Sequence, residues 1–365
     1  MLTDQQSRDR IRDETGTTLF VDAGAGSGKT RSLIERVVTL ALTDEVSLRN
    51  IAAVTFTEKA GAELRDRLRA EFERVWRTES GDRRRRAADA LDDLDSAAIG
   101  TLHSFAQRIL TMHPIEARLP PLIEVLDEVG SSVAFDNRWA VMQRELLDDE
   151  ELAPAVRLAL AAGVKLEHLR SLARAFQSDW DLIESHVLDE GPLAISVPDL
   201  IALAEEARAL ARLADNCRVE GDKLLPRLGA LGAWAEEYAE SADPESVLTA
   251  LNASDTLSFS YGLAGNWGIP VSQVRDDCKA WQLRARAARE ALVDASLRPL
   301  ASWVAEQVRR AARERADQGK LEFHDLLVLA RDLLRDSAEV RAALQAQYPR
   351  LLLDEFQDTD PIQIE

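Results

Sequence analysis

The chain predicts an α/β fold: a parallel sheet covered by helices and interrupted by a large all-helical insertion. Three observations lead there. Short apolar runs alternate with helical-period stretches over the first hundred or so residues, the order of a parallel sheet built from strand–helix units. A glycine-rich turn joins the first of these runs to its helix, at Val21–Thr30 (VDAGAGSGKT). From about residue 127 to 300 the strand signals give way to Ala-, Leu-, Arg- and Glu-rich helical periods, and the strand–helix order returns only after that.

Taken in order, Asp4–Glu14 is charged and helical, ending near Gly16, and Thr17–Val21 (TTLFV) is a short β-rich run. Arg31–Leu42 places Leu33, Ile34, Val37, Val38 and Ala41 at helical spacing. Ile51–Phe56 (IAAVTF) reads as a buried strand, followed by a helix over Thr57–Trp76 with Ala60, Leu64 and Leu68 on its apolar side. Ala97–Thr101 (AAIGT) is a third strand and Ser104–Met112 its helix. Pro114 to Pro121 breaks the pattern, and Leu122–Leu126 (LIEVL) is one more strand or a linker. Asp243–Pro270, rich in Ser, Asn, Gly and Trp, reads as loops between helices. Leu321–Leu334 is helical, and Tyr348–Leu353 (YPRLLL) is a buried strand running into Asp354 and Glu355.

The bulk numbers narrow the function class. With 365 residues the chain exceeds one typical domain. A net charge of −19 excludes a generally basic nucleic-acid binder but leaves room for a local basic track. Acidic runs such as Leu147–Leu152, and the arginines Arg83–Arg86, read as solvated faces. Only two cysteines occur, Cys217 and Cys278, neither at zinc-ligand spacing, so solitary reduced thiols are expected. The polar N-terminus is no signal peptide and no run of about 18 apolar residues is present, which predicts no membrane span and a cytoplasmic setting.

The glycine-rich turn carries the clearest chemistry. A strand end, a turn of small residues and a Lys-Thr pair opening a helix together build a phosphate cradle, because backbone N–H groups and the positive helix end converge on one point. The strict pattern G-x-x-x-x-G-K-[ST] has Ala23 in its first position here. Ala23, Gly24, Ala25, Gly26, Ser27 and Gly28 form the cradle, Lys29 reaches phosphate, and Thr30 is a Mg²⁺ ligand. In open parallel sheets, ligands bind at the carboxyl ends of strands. Asp354 and Glu355, fed by an apolar run, suit a second Mg²⁺ ligand and a water-orienting base.

Several motifs in order give the chain a family resemblance. Leu2-Thr3-Asp4-Gln5-Gln6 resembles a Q motif, and AGAGSGKT at Ala23–Thr30 resembles the phosphate loop of superfamily-1 helicases of the UvrD/Rep/RecB group, which accounts for Ala23. VTFTEKAGAELR at Val54–Arg65, GTLHSF at Gly100–Phe105 and LDEFQDTDPIQ at Leu353–Gln363 resemble that group's motif Ia, its next DNA-contact motif and its motif II. The first 130 and last 45 or so residues carry the match. The last two of these motifs lean towards the RecB/AddA helicase–nuclease side.

The resemblance implies a P-loop, RecA-like domain 1A with a helical domain 1B inserted in it. Domain 1A is expected at residues 1–118 and 301–365, and domain 1B at 119–300. It implies an ATP-dependent 3′→5′ DNA helicase in repair or recombination, with ATP and Mg²⁺ as cofactors and single-stranded or duplex-junction DNA as partner. Gln6 would read adenine, and Gln357 would link the γ-phosphate to the DNA site. Arg31 stands beside the nucleotide or on an exposed helix face. Thr55, Phe56, Thr57 and Lys59, with Thr101, His103 and Ser104, would contact DNA. On periodicity alone Phe56 reads equally as core, and His103 as a structural histidine. Phe323 and Asp325, in LEFHDLL, read as packing and helix-capping support. The arginine-bearing later motifs have no counterpart, so the chain is expected to be an N-terminal portion that does not turn over alone. The further implied partners are a C-terminal RecA-like domain and a helicase–nuclease subunit. A P-loop nucleotide- and DNA-binding module without unwinding activity is the alternative.

Overall fold

The computed structural model describes residues 5–24, 26–44, 46–188, 195, 197–356 and 362. They form two compact units, residues 1–128 with 313–365, and residues 129–312.

The first unit opens with α1 (Gln5–Asp13) and α2 (Lys29–Leu42). The strand β1 (Ile51–Thr55) follows, then α3 (Glu58–Thr78), α4 (Gly81–Asp93), β2 (Ala98–Thr101), α5 (Leu102–Met112) and the short β3 (Glu124–Val125). Thr57 accepts a hydrogen bond from the Ala60 N–H and Thr101 from the Ser104 N–H, so a threonine caps the helix after each of the first two strands. In the arginine run, Arg83 and Arg85 pair with Glu79 and Asp82, and Arg84 lies 5.1 Å from the Trp76 ring.

The second unit is helical. It contains α6 (Glu128–Asp148), α7 (Ala153–Ala161), α8 (Leu166–Ser178), α9 (Leu200–Ala211), α10 (Leu225–Tyr238), α11 (Pro244–Asp255) and most of the 48-residue α12 (Val271–Gln318). One core gathers Phe135, Trp139 and Leu146 of α6, residues of α7 and α8, and Leu300, Val304 and Val308 of α12. A second gathers Ala204, Leu228, Trp234, Leu248, Phe259 and Trp281. Asp222 organises the loops beside it. It is buried, yet its carboxylate accepts from the Leu224 and Leu263 N–H groups and the Asn266 amide. Burial works against its ionisation, but these donors outweigh it and hold the carboxyl below its ordinary range. Cys217 and Cys278 are both free thiols, and burial pushes Cys278 up to about 12.

The chain then returns to the first unit with β4 (Lys320–Leu321), α13 (Phe323–Asp336), α14 (Ala338–Gln347) and β5 (Arg350–Leu353). β1 lies between β2 and β5, parallel to both, with Val54 opposite Gly100 on one side and Leu353 on the other. β3 and β4 pair in parallel separately. Every residue of β1 is buried, as expected for a parallel strand covered on both faces. Ile51, Ala53, Ile99 and Leu352 pack with α2, α3 and α4, whereas Ala52 and Ala98 pack with α5, α13 and α14.

The structure differs from the sequence reading at the last strand, expected to be buried, where Leu351 and Leu353 are 57% and 45% exposed, and at the N-terminal run. Thr17–Val21 forms no strand: it lies alongside no ladder partner among the described residues, and Phe20 is 83% exposed. The compact units divide at 128/129 and 312/313, beside domain boundaries read from sequence at 118/119 and 300/301. Residues 119–128 stay with the first unit because β3 pairs with β4, and 301–312 stay with the second because that stretch of α12 fills its core. Among the described residues no helix is long and apolar enough to cross a membrane.

Candidate functional site

The carboxyl ends of β2, β1 and β5 lie side by side, which brings together three turns far apart in sequence. These are Thr101–Ser104, Thr55–Lys59 and Asp354–Glu355. The Asp354 N–H continues the ladder by donating to the Val54 carbonyl at 2.9 Å. Across from it the Thr30 hydroxyl, in the first turn of α2, donates to an Asp354 carboxylate oxygen at 3.5 Å, although 324 positions separate the two. Glu355 has φ of 57°, a left-handed conformation that costs a non-glycine residue about 1–3 kcal/mol. Its N–H turns back to the Asp354 carboxylate at 3.0 Å.

The loop before α2 has the backbone of an anion cradle. Gly26 and Gly28 have φ of 74° and 90°, conformations open to glycine. Gly28 precedes the helix and no side chain caps its first N–H groups. The Ser27 hydroxyl is buried with no hydrogen-bond partner among the described residues. A buried orphan oxygen beside uncapped helical N–H groups fits a phosphate chain. Thr30 and Asp354 offer a hydroxyl and a carboxylate to a hard cation that takes its remaining ligands from phosphate and water. Among the described residues no group of three or more His, Cys, Asp or Glu side chains is placed to hold a metal. Lys29 is half-buried at the start of α2, Ala23 is half-buried and Gly24 exposed. Arg31 is exposed and paired with Glu35 at 2.8 Å. Ala25, Gln357 and Leu2–Asp4 lie outside the described residues.

Two arginines missed in the sequence tie α1 to this loop. Arg8 donates to the Ser27 carbonyl at 2.6 Å, and a Cβ added to Gly28 would stand 3.2 Å from its guanidinium. Arg36, on α2, donates to the carbonyls of Ile11, Glu14, Thr15 and Thr17. Between them they fix α1, and with it the exposed Gln6, relative to the cradle. The acceptors named here are main-chain oxygens, which no side-chain pattern announces.

At the tips of β1 and β2 the expected residues divide into two groups. Thr55 and Thr101 are 2% and 4% exposed. The Thr55 hydroxyl is bonded to the Thr57 and Gly100 carbonyls. That of Thr101 accepts from Ser104 N–H and donates to Glu58 at 2.8 Å. Both side chains are buried and brace the turns from inside. Thr57, Lys59 and Ser104 are exposed, and Phe56 and His103 are half-buried. Burial, seconded by His324 and opposed by Glu58, lowers the His103 pKa and favours its neutral form. Phe323, read from sequence as packing, is 55% exposed and meets the His103 ring edge-on at 5.5 Å.

These turns meet because two glycines let α3 approach the sheet. A Cβ on Gly61 would stand 3.0 Å from the Gly100 Cα and 3.3 Å from the Thr55 hydroxyl. Gly61→Ala is therefore expected to destabilise the protein by about 1–3 kcal/mol, as overpacking does, and not to stabilise it as a helical Gly→Ala change otherwise would. Urea denaturation decides, and a raised midpoint would contradict the close approach.

The family model for the UvrD/REP helicase N-terminal domain matches residues 3–365. The chain belongs to the UvrD/Rep helicase family. This UvrD/Rep-family chain is 26% identical to an ATP-dependent helicase/nuclease subunit of Carboxydothermus hydrogenoformans, over 96% of the chain and 33% of that protein. It is 34% identical to the like-named protein of Ligilactobacillus salivarius, over 38% of the chain and 10% of that protein. DNA helicase II of Escherichia coli is 28% identical over 46% of the chain and 21% of its own length. The UvrD/Rep-family chain thus spans at most about a third of the curated relatives named here.

Proposed function

We propose that this chain holds ATP and Mg²⁺, and part of the single-stranded DNA track, of an ATP-dependent 3′→5′ DNA helicase of repair or recombination. In this reading the first unit is a RecA-like domain 1A with a P-loop, and the helical unit is an inserted domain 1B. The observation that carries it is the meeting of Thr30 and Asp354, the two expected Mg²⁺ ligands, at the carboxyl end of a parallel sheet. A helicase/nuclease relative that covers nearly the whole chain favours that branch.

Each residue has a definable task. The loop from Ala23 to Gly28 would wrap the phosphates with N–H groups, with the Ser27 hydroxyl as a further donor, and Lys29 would place a cation against the β- and γ-phosphates. Thr30 and Asp354 would hold Mg²⁺, which when bound neutralises charge on the phosphates. Glu355, the left-handed residue that follows Asp354, would orient the attacking water. Gln6 would recognise adenine, held in place through Arg8 and Arg36. Gln357 would sense the γ-phosphate, and Arg31 would lie near the nucleotide. On the DNA side, Thr57, Lys59 and Ser104 would meet phosphates, while Phe56 and His103 would meet bases. A second RecA-like domain and a partner protein of the helicase–nuclease type complete the proposal.

Titration of the chain with a fluorescent ATP analogue and Mg²⁺ tests the nucleotide half. Lys29→Ala is expected to weaken binding at least about tenfold, the scale of one lost charged hydrogen bond. Asp354→Asn should remove the Mg²⁺ dependence of the remaining affinity. Unchanged binding in both variants would overturn the assignment.

A further inference from the structure

Arg8 stands behind the phosphate cradle without being part of its motif. From α1 its Nη2 donates to the Ser27 carbonyl at 2.6 Å, in a partly buried contact. A Cβ built on Gly28 would lie 3.2 Å from Nη1 and 4.0 Å from Nη2, so the guanidinium rests against the Ser27–Gly28 peptide. A trans peptide is planar, and its carbonyl and N–H point in opposite directions. A cation holding the Ser27 oxygen therefore turns the Gly28 N–H away from α1. We propose that Arg8 is a positioning residue of the nucleotide site: it aims and polarises the Gly28 N–H for a phosphate oxygen, without touching the nucleotide. The proposal rests on the phosphate-cradle reading and deepens it.

Four observations support this role. First, the bond is short and charge-assisted, and such bonds are stronger than neutral ones. A cation on the carbonyl also makes the N–H of the same peptide a better donor, because hydrogen bonds in a chain polarise one another. Second, this peptide needs holding. Gly26 and Gly28 have φ of 74° and 90°, and a glycine on each side of Ser27 leaves the backbone free to rotate. The peptides on either side have main-chain bonds: the Ser27 N–H donates to the Gly24 carbonyl at 3.3 Å, and the Gly28 carbonyl accepts from the Ser32 N–H at 3.0 Å. Arg8 supplies the bond for the peptide between them. Third, the room for the guanidinium is the Cβ that Gly28 lacks, so a side chain there would press on it. Fourth, Arg8 acts from a fixed support. Arg36 holds the Ile11 and Glu14 carbonyls at the end of α1, and it belongs to α2, the helix that the loop opens. Helix, loop and helix form a closed circuit with Arg8 as one link.

The test uses the full chain with isotope labels on the glycine nitrogens and serine carbonyl carbons, so that NMR singles out its Ser–Gly peptides, Ser27–Gly28 and Ser80–Gly81. Mg²⁺ and an ATP analogue should move the Gly28 amide proton downfield in the wild type and leave Gly81 in place. In Arg8→Ala that shift at saturation is expected to shrink and the dissociation constant to rise about tenfold, the scale of one hydrogen bond to a charged group. Arg8→Lys keeps a cationic donor and should retain most of both. Inorganic triphosphate should show the same loss, because Arg8 acts on the phosphate side. If Arg8→Ala binds like wild type while Lys29→Ala binds weakly, the role of Arg8 is refuted and the cradle reading stands. If neither substitution matters, both fail. If Arg8→Ala binds weakly but keeps the full Gly28 shift, or if its loss is confined to the adenine nucleotide, Arg8 acts elsewhere and the proposal is overturned. Should Arg8→Ala not fold, Arg8→Gln takes its place: a neutral donor should give an intermediate shift, and wild-type binding by it would overturn the polarising role.

Discussion

Asp325→Ala is expected to destabilise the first unit by about 3–5 kcal/mol, the cost of stripping one partner from a buried ion pair. Asp325 is 1% exposed and Arg315 6%. The contact is bidentate, at 2.7 and 2.8 Å, and the same carboxylate accepts the Glu322 N–H at 2.8 Å. Burial disfavours the Arg315 charge, but Asp325 and Glu322 more than offset this. Removing the carboxylate leaves a buried guanidinium without its bidentate partner and half of the capping box at the start of α13. The paired change Arg315→Met/Asp325→Leu removes both charges and should recover much of the loss, since apolar replacement of a buried pair is often neutral. Urea midpoints of the three proteins check this. Equal destabilisation of the single and the paired variant would show that the cap, not the buried charge, dominates.

Trp281→Ala should cost the helical unit a similar amount, about 3–5 kcal/mol. The side chain is fully buried, meets Trp234 edge-on at 4.9 Å and donates its indole N–H to the Leu203 carbonyl at 2.9 Å. Alanine would leave a cavity between α9, α10 and α12 and remove the indole hydrogen bond. The nucleotide-site residues all belong to the other unit, so ATP-analogue affinity of the folded variant should stay within about twofold of wild type. Thermal melting followed alongside nucleotide titration separates the two effects. A large loss of affinity without loss of stability would contradict it.

Much of this was legible in the sequence, for physical reasons. IAAVTF and AAIGT are short runs that only a sheet covered on both faces can bury, and each forms a strand; RLLL also forms a strand, but only Leu352 is buried in it, with Leu351 57% and Leu353 45% exposed. The glycine pattern predicted the loop because positive φ at Gly26 and Gly28 suits few other residues. What failed depended on tertiary partners. TTLFV has strand composition, yet a strand exists only beside another strand. That the Thr55 and Thr101 hydroxyls brace their own turns likewise depends on partners that sequence spacing does not show. Phe323 looked like core because phenylalanine usually is.

The hold of Arg36 on α1 has a consequence for how this segment tolerates change. Its acceptors at Ile11, Glu14, Thr15 and Thr17 are carbonyls, which every amino acid supplies. Side chains there can be exchanged widely without altering the contact, whereas a single inserted or deleted residue would shift all the oxygens out of reach together. The Arg36 contact constrains the segment in length and path but not in composition; the side chains that matter there are those with bonds of their own, Arg8 to the Ser27 carbonyl and Thr15 to Asp44.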